Sequence, residues 1–579
     1  MIDKNCYDLL RVVFNKDDLD KMKIDKKHFI TKELLTNINR NDDPIIFICQ
    51  PKINIMEIIY QLSLMFENIE INLIFIPSET YEIIKFIDFS NLNHRFQIYN
   101  FNMDLIPLDN DLISLEKENS FKQLYLEKDI TQINDLVNAF IKLEACFGKI
   151  KYKYIKGSRA KIFNDLLIKK EKESNMKKDK EIFGMIVFDR NVDFITPLTS
   201  NYTYEGLIDD FFGINKNNII IDESYFKEKG FESQTGNKMI YNLSSSNNEF
   251  YSRIRCMNYL DAHKYIHELK KYFSDKAKEN KGKINFQKMK EVLQDMNTFA
   301  SSYKGPIIIN TNFVSKIFNE NIKDDNTIYR QKESVFLSGN YPENMDTYYS
   351  DYMSEKKDLI NLINLLCIES LTQGGIKGYN KLKRDILNIY GSSYIFLFKD
   401  LEKIGLIQDK DVFKKSGEAS YEEICSKLNL VGENIQKNKI EDCSYIYQGY
   451  CPIILRLIER ALEGKWNKLK DVINKLPGDT IYPPNENEIF KNHNNKNVNT
   501  IFVVFIGGAT YTEIEGIRYI NLKLKQMYDS GKNKNMSRTQ LIVVTNEILN
   551  KKKIFNSLGK KFKQSYTLKK YYMDNLKNK

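Results

Sequence analysis

A chain of 579 residues exceeds any single small module, and 42% hydrophobic with 12% aromatic residues supplies apolar side chains for more than one core. Charged residues at 28% lie near ordinary globular usage, which excludes wholesale disorder, and 87 basic against 77 acidic residues leave a net charge of +10. Apolar runs such as Ile71–Ile76 and Ile501–Ile506 stop far short of the ~18 residues needed to cross a bilayer.

Met1–Phe14 sets Asp3, Lys4, Asp8 and Arg11 among its apolar residues and lacks the apolar stretch and small-residue cleavage site of a signal peptide, which predicts a cytoplasmic protein. Ile45–Cys49 reads as a strand, Ile55–Phe66 has apolar residues at helical spacing, and Ile71–Ile76 is a second strand with Ser78 as N-cap of a following helix. This is a βαβ unit. Gly184–Phe188 is a strand of the fully buried type, but its expected partners, Ile501–Ile506 and Leu541–Val544, come some 300 residues later. One α/β domain is therefore interrupted by an insertion. The insertion, from about Asn215 to Asn499, is mainly helical in period, as in Lys357–Leu371 with Leu359, Ile360, Leu362, Ile363, Leu366 and Cys367. Asn-rich loops at 215–218 and 485–499 mark its edges. The lysine-rich stretches Lys149–Lys180 and Lys551–Lys579 read as a solvated face and a frayed terminus rather than a nucleic-acid surface.

Chemistry is sparse. Asp189, Arg190 and Asp193 follow the strand Gly184–Phe188, but a guanidinium between two carboxylates pairs with one of them as a structural bridge, and no further ligand completes a metal shell. Thr196 and Pro197 turn the chain, and Thr203 caps a helix carrying Glu205 in its first turn, followed by Gly206. Gly507 and Gly508, between a strand and a helix, are the best suspects for cradling phosphate. They fit neither common nucleotide motif, and Thr510 with Glu513 has capping-box spacing, so a tight turn is the simpler reading. His263 and His267 share a helix face without the glutamate or third ligand of a zinc site, and read as solvent-facing. The eight cysteines include no Cys-x-x-Cys pair and read as buried free thiols. No nucleophile, metal or cofactor site is written here. A phosphate-binding α/β enzyme and a basic nucleic-acid-binding protein remain as alternatives.

The run Asp189–Asp193, continuing to Leu198 and through Thr203–Asp209, resembles the central signature of the Sec1/Munc18 family, within it the Vps33 subfamily. Leu105–Asp129, Leu362–Lys377, Ser444–Glu459 and Gly507–Ile520 agree with that family in order, and the resemblance spans about Asp43 to Thr545. It implies an α/β plus α fold: a three-domain arch of two parallel-sheet α/β domains and a large helical insert. The implied divisions are 1–150 as the SNARE-facing first domain, 151–214 and 500–550 as the split second domain, 215–499 as the third, parted near 350, and 551–579 as a tail.

Members of the family bind SNARE helices and are not enzymes. Vps33-like members guide and protect trans-SNARE assembly as subunits of the HOPS and CORVET tethers, docked on a Vps16-like subunit at endosomal, vacuolar or lysosomal membranes. The resemblance places SNARE contacts in about Phe286–Phe318, at Met289, Val292, Leu293, Met296, Phe299, Ala300 and Tyr303, although each alone reads first as a core residue. It places the Vps16-like partner near Ser444–Trp466, at Tyr445, Tyr447, Tyr450 and Trp466. The signature residues Asp189, Arg190, Asp193, Thr196, Pro197, Glu205, Gly206, Gly507, Gly508, Thr510 and Glu513 are assigned to structure.

Overall fold

Period-two alternation in the early strands builds a parallel sheet with one face committed to a core. In a computed structural model of the chain, the described residues are 1–14, 18, 21, 28–31, 45–65, 70–90, 95–173, 181–226, 238–244, 249–279, 304–321, 323–412, 420–432, 443–484, 486, 498–530 and 538–559. Strands Ile45–Cys49, Ile71–Phe75 and Phe96–Asn100 pair in parallel in that order, with Phe47 opposite Leu73 and Leu73 opposite Ile98. Phe47, Cys49, Leu73 and Phe75 are buried against Met56, Ile59 and Leu62 of helix Ile53–Met65 and Ile83 and Ile87 of helix Tyr81–Phe89. That second helix is capped at Thr80 and not at Ser78, because the Glu79 amide is taken by the Asn100 side chain at 2.9 Å and stays outside the helix. An antiparallel hairpin, Ile106–Asp109 with Leu112–Ser114, completes a first unit made of 1–116 and 215–218.

The second unit holds 117–214 and 219–579. Its sheet draws strand Glu181–Asp189 and strands Asn499–Ile506 and Thr539–Thr545 into parallel register, so that Val187 faces Val504 and Val504 faces Val544. Strand Lys149–Lys156 lies parallel on the other side of Glu181–Asp189, and the short strand Thr480–Ile481 closes that edge antiparallel. Ile186, Val187, Phe188 and Val503 to Ile506 are almost wholly buried, the near-continuous apolar pattern of a sheet covered on both faces. Helices Thr131–Phe147 and Ser158–Glu173 pack on it, the Phe140 ring meeting Phe163 at 5.3 Å and Phe502 at 5.8 Å. Helix Thr131–Phe147 therefore belongs with the second sheet. The main segment of the first unit closes at Glu116, earlier than the division at 150 that the resemblance implied.

The insertion between these strands is mainly helical. Helix Leu359–Gln373 buries Leu362, Ile363, Leu365, Leu366, Cys367 and Ile368, is capped by the Asp358 carboxylate and ends at left-handed Gly374 (φ 69°). Among the described residues its strands are the two-stranded sheet of Asn218–Asp222 with Lys238–Asn242, and Thr480–Ile481, which joins the α/β sheet. Buried Lys156 fastens the latter by donating to the carbonyls of Leu476 (2.9 Å) and Gly478 (2.8 Å) and to Thr480 Oγ1 (3.0 Å). The lysine-rich terminus begins as a packed element, since helix Lys551–Ser557 buries Ile554 and Phe555, and the Gly559 amide donates to Asp400 at 2.8 Å. Among the described residues no helix is long and apolar enough to cross a membrane.

Candidate functional site

The signature run begins where strand Glu181–Asp189 ends. The Asp189 carboxylate, fully buried, accepts from Tyr125 Oη at 2.5 Å, the Arg159 amide at 3.0 Å and the Asn191 amide at 3.3 Å, with Arg159 Nη1 3.5 Å away. Burial, and then the Asp189 charge, hold the Tyr125 phenol well above its ordinary range, so it stays a donor. Its hydroxyl also reaches the Ile506 carbonyl at 3.0 Å, joining the two separated strands of the sheet. The neighbouring backbone must be glycine: a Cβ on Gly157 (φ 111°) would stand 2.2 Å from the Asp189 Cβ.

Arg190 turns away from Asp189. Its Nη1 lies 2.7 Å from Glu513 Oε2, its Nε donates to the Asp193 carbonyl at 2.9 Å, and its Nη2 stands 3.9 Å from the Asp193 carboxylate. Of the two flanking aspartates Arg190 thus pairs with Asp193, as expected, but its shortest contact is to a glutamate on a distant helix. Asp193 also accepts from the Thr196 amide (2.9 Å) and hydroxyl (2.6 Å), fixing the turn Thr196–Leu198 with Pro197 inside it. Glu513 Oε2 also accepts from the Thr510 amide and hydroxyl, both at 3.0 Å, while the Glu513 amide donates to Thr510 Oγ1 at 3.2 Å. The capping box therefore starts helix Tyr511–Asp529 and clamps Arg190 with the same carboxylate.

Gly507 and Gly508 (φ 96° and 109°) are needed for close approach. A Cβ on Gly507 would meet the Tyr125 ring at 2.6 Å, and one on Gly508 would meet Leu549 at 2.3 Å. The Gly507 amide donates to Asn546 Oδ1 at 3.0 Å and the Ala509 amide to the Glu547 carbonyl at 3.1 Å. These amides are used inside the protein, so the turn is a packing joint and not a phosphate cradle. Thr203 stands at the N-cap of helix Tyr204–Phe212 without a side-chain cap bond. Glu205 accepts from Tyr251 Oη (2.8 Å) and pairs with Arg518, and a Cβ on Gly206 would come within 2.9 Å of Thr203 Oγ1.

The structural signature residues are thus brought together into one buried joint, with Tyr125, Arg159 and Asn546 as members that sequence reasoning missed. Only Tyr125 carried a signal, through its place in the Leu105–Asp129 block. Other candidates are placed differently. Tyr447, Tyr450 and Trp466 are buried: Tyr447 Oη donates to the Thr512 carbonyl, and Trp466 Nε1 donates to the Leu457 carbonyl at 2.8 Å while its ring packs on Tyr154. They support a surface and do not present one. The Tyr445 side chain lies outside the described residues, as do Met289, Val292, Leu293, Met296, Phe299, Ala300 and Tyr303. In the described remainder of that stretch, helix Lys304–Asn321, Phe313, Val314 and Ile317 are buried in the core. His267 is exposed, whereas His263 is half-buried and stacks on Phe318 at 4.8 Å, not solvent-facing as its spacing suggested. Among the described residues no group of three or more His, Cys, Asp or Glu is placed to hold a metal ion.

Comparison with known proteins gives a consistent answer. The model of the Sec1 family matches residues 1–557. Vacuolar protein sorting-associated protein 33A of Rattus norvegicus is 26% identical over 524 residues, covering 87% of this chain and 85% of the relative. Among solved structures, the SM protein Vps45 in complex with the Qa SNARE Tlg2 superposes with a TM-score of 0.60 at 13% identity, over 96% of this chain and 93% of that one. The Unc18–syntaxin 1 complex of Monosiga brevicollis gives a TM-score of 0.59 at 13% identity, over 97% and 95%. The fold is shared with both.

Proposed function

The chain belongs to the Sec1 family, and from that premise we propose that it binds SNARE helices and promotes or protects trans-SNARE assembly as a Vps33-like subunit of a HOPS or CORVET tethering complex. The observation that carries this reading is the similarity to a Vps33 protein along most of both chains. The fold shared with SM proteins solved in complex with SNAREs supports it.

The physical logic is that of a template. A SNARE motif is an amphipathic helix that must lose conformational entropy on assembly, and a rigid surface that holds such helices in register lowers that cost. The buried joint around Asp189 and Arg190 ties distant chain segments into a stiff support. In this reading the protein works by binding and catalyses no reaction, takes no cofactor, and reaches endosomal, vacuolar or lysosomal membranes peripherally through its partners. SNAREs are met by the stretch containing Met289, Val292, Met296, Phe299, Ala300 and Tyr303. A Vps16-like subunit docks on the surface that the 444–466 region shapes. Affinity purification of the tagged chain from its own cells, followed by mass spectrometry, tests the reading: Vps16-like and other tether subunits should be recovered with SNAREs, and their consistent absence overturns it.

A further inference from the structure

Within the second unit a cleft of about 820 Å³ opens beside the turn that follows Asp189, a size typical of small-ligand sites. Its wall carries five cations, Lys128, Arg159, Lys403, Lys410 and Lys475, against two carboxylates, Asp193 and Glu422. Asp193 is already engaged by Thr196 and Arg190. Lys475 is held by Glu423 at 2.6 Å and Arg159 stands 3.5 Å from Asp189. Among the described residues no ion pair within 4.0 Å involves Lys128, Lys403 or Lys410.

Arg159 is fixed before any ligand arrives. Its guanidinium lies 4.1 Å from the centre of the Tyr125 ring and donates to the Leu124 carbonyl at 2.8 Å, while its side chain remains 21% exposed. Lys128 closes the turn Gln123–Glu127 in the left-handed region (φ 59°), an uncommon backbone for a lysine. The cations come from separate walls: Lys128 and Arg159 from the segment before strand Glu181–Asp189, and Lys403, Lys410 and Lys475 from the helical insertion. A single phosphate would satisfy one wall; an anion with several phosphates would satisfy both. We propose that this cleft binds a small polyanion of clustered phosphates on a polar scaffold, and that the bound anion braces the insertion against the α/β sheet. The site is distinct from the Gly507–Gly508 turn, and its occupation does not depend on the SNARE-binding reading.

Inositol hexakisphosphate is a suitable probe, titrated calorimetrically into the full-length protein at ~0.15 M salt, where exposed charges farther apart than about 8 Å are largely screened. Expected are one-to-one binding and a raised unfolding temperature. Lys403→Glu combined with Lys410→Glu, or Lys128→Glu alone, should weaken binding more than tenfold without lowering the ligand-free unfolding temperature. Lys151→Glu, on the exposed sheet edge, should leave it unchanged. No binding, or equal weakening by Lys151→Glu, overturns the site. Binding only to vesicles carrying phosphoinositides, with none to the soluble compound, makes a lipid headgroup the phosphate source and overturns the soluble-ligand form.

Discussion

Arg190 and Glu513 are 323 positions apart in sequence and 2.7 Å apart in space, and both side chains are fully buried. The pair joins the end of strand Glu181–Asp189 to the start of helix Tyr511–Asp529, so the two halves of an interrupted domain meet at a fully buried charged contact, with Glu205 and Arg518 forming a second charged contact. A buried ion pair is weak evidence of net stabilisation, because desolvating both charges is costly. Removing one partner is a different matter. The survivor keeps the desolvation cost and loses the attraction.

Arg190→Ala should therefore destabilise the protein by about 3–5 kcal/mol in chemical denaturation, whereas Arg190→Met with Glu513→Gln, which removes both charges and keeps an acceptor for the Thr510 amide, should recover part of that loss. A single variant within about 1 kcal/mol of wild type would show that the pair is not a structural joint. Loss of partner binding with stability unchanged would move Arg190 to an interface.

Glu515 supplies a pH signature. Burial, and then repulsion from neighbouring Glu205, hold its carboxyl well above the ordinary 4.5, with Arg518 and Arg255 opposing only in part. Folded protein thus keeps a proton that the unfolded chain releases, and stability contributed by this group is present below about pH 4.5 and is lost as pH rises toward the folded value. Glu515→Gln mimics the protonated form. Its unfolding temperature should match wild type near pH 4 and exceed it progressively toward pH 8. A constant difference across that range would sink the assignment.

The split domain was legible because buried parallel strands announce themselves as apolar runs, and Val187, Val504 and Val544 do face one another across the sheet. The closest partner of Arg190 was not legible. Nothing local distinguishes Glu513 from any other helix-start glutamate; of the nearer candidates Asp193 does pair with Arg190, at 3.9 Å, while Asp189 is held by Tyr125. The same limit misplaced Trp466 and Tyr447: an aromatic side chain reads equally well as an anchor for a partner or as a plug in the core.

For Trp466 the structure decides. The ring is wholly buried and its indole nitrogen is satisfied by Leu457, so Trp466→Ala should cost about 3–5 kcal/mol. Docking of a Vps16-like subunit should then fall only in proportion to the folded fraction. Exposed Lys468, two positions on, gives the contrast: Lys468→Glu should weaken docking with no change in unfolding temperature. Normal stability with lost docking in Trp466→Ala would restore that residue to the interface.

The SNARE-binding proposal is tested at Met296. A methionine in an apolar stripe that grips a partner helix contributes through burial on binding, and an aspartate in its place must lose its hydration against an apolar surface. Met296→Asp should weaken binding of an assembled four-helix SNARE bundle more than tenfold, about 1.4 kcal/mol, measured by equilibrium titration. Recovery with the Vps16-like subunit should be undiminished, because that contact is assigned to the 444–466 region, and the unfolding temperature should stay at the wild-type value. The stability measurement separates the two readings of an apolar residue: a core methionine turned into a buried charge would lower the unfolding temperature and weaken both interactions together. Unchanged SNARE affinity in a stably folded Met296→Asp variant would show that the SNARE contact lies on another part of the insertion.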